Sequence, residues 1–395
     1  MARPRWIWSA FLGAVFSLLG GAARAQTPAP SPAPSPSPSP EAPAPQPPTG
    51  TEVPPGAAGA GGPTGPLPVY GPVSSKVFNP DIAVIGDFLG ALGKNESDFA
   101  SPSLEMHEAE TSFQAIVDPY ARADFFLVFG PDEVGVEEGF VTFTSLPASL
   151  LLKVGKMRAS FGKANQMHNH LMPWTDRPLV TEDLVGGEDG ISDAGLSLSR
   201  LFPNSFLFLE ATAEVYRGES NIFRAPERGD LTFVGRLRGY RDLTESTNLD
   251  FGGSFAQGHN DADPDAKTRL FGADLAFRYR PLRRAIYRRL IARTELVWSR
   301  REQSGGPARA FGTYGSLEYQ FARRWFAGLR VDRSDRANHP SLVDKGASVL
   351  LTYWPSEFSQ VRGQYRHTRY GDGITANECL FQLQFSIGAH GAHTF

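Results

Sequence analysis

The sequence predicts an all-β chain closed into a transmembrane antiparallel β-barrel of about 16 strands, within a range of 14 to 18. Three observations carry this. Apolar residues recur at every second position in short stretches from Asp81 onward. The connections between stretches alternate short and long. Beyond the first 25 residues or so, no stretch approaches the length and apolarity of a spanning helix. The mean hydropathy of -0.27 is compatible, because barrel strands alternate lipid-facing and lumen-facing residues and average out near a soluble chain.

The chain opens with Arg3 and Arg5, an apolar run from Ile7 to Leu19, and the small-residue triplet Ala23-Arg24-Ala25. That is the layout of a cleaved export signal, residues 1–25, with cleavage after Ala25; the run is too short for an anchor. Gln26 follows, so no cysteine takes a lipid there. Residues 26–75 are mostly Pro, Ala, Ser, Gly, Thr and Gln, a composition that favours extended segments and buries no core. They read as a disordered periplasmic linker, with a partner-binding or peptidoglycan-contacting role left open. The barrel is assigned to residues 76–395. One cysteine, Cys379, excludes an internal disulfide. Lys plus Arg is 39 against 42 for Asp plus Glu, a balance that argues against nucleic acid as a partner.

The last stretch shows the alternation most clearly. Cys379, Phe381, Leu383, Phe385 and Ile387 share one face, and Glu378, Gln382, Gln384 and Ser386 share the other. The same split separates Leu329 and Val331 from Arg330 and Asp332, and Phe271 and Leu275 from Asp274 and Arg278. A soluble sandwich alternates in the same way, so periodicity leaves the direction of the apolar face open. The connections distinguish the two. Short ones fall at Asp118-Pro119, Ser145 to Pro147, Phe202 to Asn204, Arg241 to Ser246, Pro281 to Arg284, Ala322 to Arg324 and Pro355 to Glu357, with mostly longer ones between them. Short periplasmic turns and longer outer loops, around an even strand count, are the layout of an outer-membrane barrel. Its implied partners are outer-membrane lipid and lipopolysaccharide, and the terminal Phe395 resembles the end signal read by the barrel assembly machinery.

The longest connection, Arg158 to Asp189, is the third outer loop. Lys163, His168, His170, Asp176, Arg177, Glu182, Asp183, Glu188 and Asp189 give it both charge signs, as suits a constriction where electrostatics select ions. By phase, Glu108, Glu110, Glu138, Glu210 and Glu214 face inward from the earlier strands. Arg236, Arg238, Arg278, Arg289, Arg293, Arg330, Arg362 and Arg366 face inward from the later ones. Walls of opposite sign would set up a transverse field favouring small polar or charged solutes; ordinary lumen salt bridges are the alternative.

The run from Lys153 to Gly162, KVGKMRASFG, resembles the strand-to-loop segment of barrels grouped with the phosphate-selective porins, in which a Gly-Lys pair precedes a Phe-Gly. The continuation through Asn165, His168, His170, Asp176 to Val180 and Glu188-Asp189-Gly190 is similar to related barrels labelled zinc-regulated or TonB-dependent outer-membrane receptors. The resemblance implies a porin-like barrel whose third loop folds into the lumen. A TonB-dependent receptor carries a plug and about 22 strands, for which the roughly 320 residues after the linker leave no room.

His168 and His170, with Asp176 nearby, are low-ranking metal candidates, since residues two apart on a strand share a face; no metal or other cofactor is assigned. His390 and His393 rank lower still. His107, His259 and His367 lie near no nucleophile motif, and no phosphate loop or H-E-x-x-H occurs, so the reading is not an enzyme. The expectation is passive diffusion of small hydrophilic or charged solutes across the outer membrane, through a lumen narrowed by residues 158–189. The alternative is a ligand-binding receptor, with metal among its candidate ligands, or a structural barrel without an open pore. A homotrimer remains open beside a monomer.

Overall fold

The computed structural model describes residues 80–97, 102–131 and 134–388. The export segment, the Pro-rich linker, His390, His393 and Phe395 lie outside the described residues. Sixteen antiparallel strands close into one barrel. The first half is β1 (Asp81–Lys94), β2 (Leu104–Asp118), β3 (Ala121–Phe129), β4 (Val134–Leu146), β5 (Leu150–Arg158), β6 (Ser192–Phe202), β7 (Phe208–Tyr216) and β8 (Thr232–Thr244). The second is β9 (Thr247–His259), β10 (Lys267–Tyr279), β11 (Arg289–Arg301), β12 (Ala308–Ala322), β13 (Trp325–Asp335), β14 (Val343–Ser356), β15 (Ser359–Arg369) and β16 (Thr375–Gly388). Each strand pairs with its sequence neighbours, and β1 closes on β16 with Phe88 opposite Leu383.

The direction of the apolar face, which periodicity left open, is outward. On β16 Phe385 is 40% exposed and Ile387 62%, whereas Gln382 and Gln384 are 1% and 2% exposed. Burying glutamine while exposing phenylalanine is the reverse of a soluble core, and it is favourable only where the outer solvent is hydrocarbon. Closure leaves no strand edge unpaired, as lipid requires. Exposed aromatics gather near the short turns, at Tyr120, Phe202, Phe206, Tyr279, Phe321, Trp325 and Phe358, in the manner of an interfacial girdle. The chain is an outer-membrane β-barrel. Among the described residues, no helix is long and apolar enough to cross a membrane.

Turn chemistry explains the short connections. The Asp118 carboxylate accepts the Tyr120 N–H at 2.7 Å, and the Asn204 side-chain oxygen accepts those of Phe206 and Leu207 at 3.0 and 2.9 Å. These side chains mimic the backbone of a tight turn. Two connections are longer than expected: residues 203–207 exceed the Phe202 to Asn204 turn, and the chain from Arg280 to Arg288 exceeds the Pro281 to Arg284 turn and includes a helical turn at Leu282–Arg284.

Candidate functional site

The loop between β5 and β6 folds inward and meets the inner wall over most of the circumference. Its two ends are tied together first. Asn165 donates to the Ala159 and Ile191 carbonyls at 2.9 and 3.2 Å and accepts the Ile191 N–H at 2.8 Å. Arg158, at the root, donates to the carbonyls of Glu188 and Asp189 at 3.0 Å each and pairs with Glu137. Gly190 lies at a φ of +60°, and a Cβ there would stand 2.0 Å from Asn165 Oδ1, so the closure admits only glycine.

The first wall contact is with β9 to β11. The backbone N–H groups of Lys163 and Ala164 both donate to Glu295 Oε1 at 2.7 Å, and Gly162 N–H donates to Ser254 at 3.1 Å. Lys163 Nζ lies 2.8 Å from Asp250 and 3.7 Å from Asp274. On the β7 side, Ser160 donates twice to Glu214, at 2.8 and 2.9 Å.

A second contact gathers histidines and carboxylates. His168 Nδ1 lies 2.7 Å from Glu110 on β2, and its Nε2 lies 2.7 Å from Glu138 on β4. Burial opposes a charge on this ring, but Glu137 at 3.1 Å and the bonds to Glu110 and Glu138 outweigh it and hold the imidazole well above its usual range. His170 Nδ1 lies 3.4 Å from Glu110 and 3.9 Å from Glu108. At the rim, His107 Nε2 lies 2.8 Å from Glu188.

The third contact is the loop's far reach. Asp176 receives Arg330 of β13 at 2.9 Å and Arg366 of β15 at 3.0 Å, and Gln364 bonds its other oxygen. Burial alone would raise this carboxyl, but the two guanidinium groups bring it down to about 2. Trp174 beside it packs edge-on to Tyr314 at 5.1 Å and lies under Arg330 at 5.2 Å. Arg177 serves the loop itself, donating to the carbonyls of Ala164 and Met167 and to Asn169. Burial pushes Glu182 up to about 7 and, with Asp344 adding repulsion, Asp183 up to about 8.

Between these polar ties the loop is apolar. Phe161, Met172, Trp174, Val180, Leu184 and Val185 are buried in one cluster with wall residues that include Val234, Leu270, Val297 and Tyr314. Toward the short turns, a small recess opens beside Trp174, Arg293, Glu318 and Phe326.

The structure brings Lys163, His168, His170 and Asp176 to the wall, while Arg177 stays within the loop. Two details of the metal candidate are corrected. Asp176 stands with Arg330 and Arg366 and not with the histidines. Residues 169–171 form a helical turn instead of a strand, although the two imidazole rings still come within 5.6 Å. On the wall, several of the predicted arginines meet carboxylates one or two strands away. Arg236 pairs with Asp274 at 2.8 Å, Arg238 with Asp250 at 3.0 Å, Arg278 with Asp250 at 3.5 Å, and Arg366 also with Glu378. Arg362 bonds Gln382 at 2.6 Å, and Arg289 lies over the Phe326 ring at 5.2 Å. Glu210 is buried on the inner face and Arg293 lines the recess.

Sequence reasoning missed Glu137. The β3–β4 register slips between Phe126 and Leu127, so Glu137 is an extra residue that, like Glu138, reaches His168. It also missed Glu295, which shares the parity of Arg289 and Arg293 and was legible from it.

No family model matches the chain. It is similar to an uncharacterized protein of Aquifex aeolicus (strain VF5), 29% identical over 390 residues, covering 82% of this chain and 81% of that one. Among solved structures it is similar to the anion-selective porin from Comamonas acidovorans (TM-score 0.55, 10% identity, 78% of this chain and 99% of that one). It is similar also to OprB of Pseudomonas putida (TM-score 0.53, 9% identity, 78% and 94%). A trimer form of OmpT from Vibrio cholerae aligns at TM-score 0.50 with 9% identity, 78% of this chain and 100% of that one. At these identities the likeness establishes a shared barrel fold.

Proposed function

We propose that this barrel is a narrow porin-like channel through which small hydrophilic or charged solutes diffuse passively, with residues 158–189 as its constriction. The observation that carries the reading is the loop's span: rooted at β5, it reaches Arg330 on β13, eight strands round a ring of sixteen, inside a wall of charged and amide side chains. Charged groups held at a narrow passage discriminate between solutes by charge and size.

The apolar cluster of loop and wall favours a second reading, a plugged barrel serving as receptor or envelope anchor, because close-packed apolar side chains exclude water from the part of the lumen they occupy. Export by the signal in residues 1–25, tethering through residues 26–75 and assembly as a homotrimer are parts of the same proposal, as is a Gram-negative-type envelope. A non-catalytic role fits the partners of the isolated histidines. His107 faces Glu188, His259 lies 3.7 Å from Asp230, and His367 bonds Asn377, so none of these three partners is a hydroxyl or thiol.

Swelling of liposomes carrying the refolded chain, in sugars of graded size, tests the reading. Swelling with the smallest sugars and not with larger ones is expected of a narrow pore. No swelling with any of them from a folded barrel supports the plugged reading.

A further inference from the structure

The geometry points to a binding site for one first-row divalent cation of the zinc and cobalt class, formed by Glu110, His168 and His170 with Glu108 beside them. This goes beyond the channel reading and holds for an open or a plugged barrel alike.

One ligand atom from each of Glu110, His168 and His170 lies within 4.8 Å of the others, and all three side chains are buried. Glu110 Oε2 is the shared point, 2.7 Å from His168 Nδ1 and 3.4 Å from His170 Nδ1. Atoms bound tetrahedrally to a cation at about 2.0 Å stand about 3.3 Å apart, so one separation already fits and the other opens by about 0.6 Å. Two imidazole nitrogens with a carboxylate suit zinc-class ions; calcium and magnesium prefer oxygen alone.

Glu108 supplies an independent observation. Its Oε2 accepts Asn169 at 3.1 Å, while its Oε1, in a side chain only 4% exposed by residue, has no hydrogen-bond partner and lies 3.9 Å from His170 Nδ1. A buried carboxylate oxygen with no donor is costly, and a cation between it and His170 would satisfy it. Charge leads the same way. Glu108, Glu110, Glu137 and Glu138 converge here, while Arg158 pairs with Glu137 and the Arg177 guanidinium is taken up by loop carbonyls and Asn169. A second trio, His107, Glu108 and Glu188, shares Glu108 and lies at the more exposed rim, the side from which an ion would enter. A bound dication would displace the proton between His168 Nδ1 and Glu110 and pin the loop to β2.

The test is equilibrium dialysis of the refolded full chain against Zn²⁺ alone after chelator treatment, with the absorption spectrum of the Co²⁺ form as a second readout. One ion per chain is expected, with Co²⁺ bands of nitrogen and oxygen ligation. The shape-conserving Glu110→Gln should weaken binding more than about 10-fold, since even outer-shell changes at metal sites cost that much, and His168→Ala with His170→Ala should abolish it. His390→Ala with His393→Ala should leave it unchanged. A folded wild-type barrel that takes up no stoichiometric Zn²⁺ would overturn the proposal and leave His168 as a simple ionic latch. So would binding that survives the His168 and His170 double substitution, or that is lost only with His390 and His393.

Discussion

Arg330 of β13 holds Asp176 of the inward loop at 2.9 Å, from the opposite side of the barrel to the strand in which that loop begins. Arg366 joins the same carboxylate oxygen at 3.0 Å, and a second bond from Arg330 reaches the Asp176 carbonyl at 2.8 Å. This clasp fixes the far end of the loop, as Asn165 and Arg158 fix its root.

Removing the clasp charge should free the tip. Asp176→Asn leaves buried Arg330 with Asp332, at 2.8 Å, as its remaining carboxylate partner, and breaking one arm of a buried ion pair costs on the order of 3 kcal/mol. Protease cleavage within residues 171–187 is expected to accelerate while the sixteen-strand barrel keeps its heat-resistant folded band on a gel. An unchanged cleavage rate would mean that the apolar cluster alone seats the loop.

At the root, Asn165→Ala removes three hydrogen bonds from buried backbone groups of Ala159 and Ile191. The expected cost is about 2 kcal/mol, seen as at least tenfold faster hydrogen exchange at the Ile191 amide. Exchange at the wild-type rate would contradict the role assigned to Asn165.

Backbone strain gives a paired comparison. Gly190→Ala places a Cβ 2.0 Å from Asn165 Oδ1 at a φ of +60° and should loosen the loop; Gly305→Ala, where a Cβ meets nothing within 4 Å, should change nothing. Thermal unfolding of the two variants reports the difference directly.

The pH dependence follows from Asp183. Its carboxyl titrates near 8 in the seated loop against 3.8 when free, so the seated state binds the proton more tightly. The Asp183 contribution to seating is therefore fully present below about pH 4 and is lost as pH rises toward about 8, beyond which it stays constant. Asp183→Asn carries no such proton. The difference in protease sensitivity between wild type and variant should grow across that window, and a difference independent of pH would show that Asp183 is charged in the seated loop.

Much of the barrel was legible because each strand carries its own alternation and each short turn its own chemistry, as at Asp118 and Asn204. The site was legible only in part. Counting by twos loses its phase at the slip between Phe126 and Leu127, which hid Glu137. The clasp joins positions 154 residues apart, and no local pattern links Asp176 to Arg330. The apolar content of the loop did carry a signal, since Phe161, Met172, Trp174 and Leu184 have no reason to stand in a loop that only meets water. Attention to its charges passed over the packing that seats it.

Single-channel conductance of the refolded chain in a planar bilayer, repeated with residues 165–186 shortened, tests the constriction most directly. The account predicts small, stable open steps from the intact chain that grow when the loop is shortened. A correctly folded barrel that stays silent in both forms would contradict it.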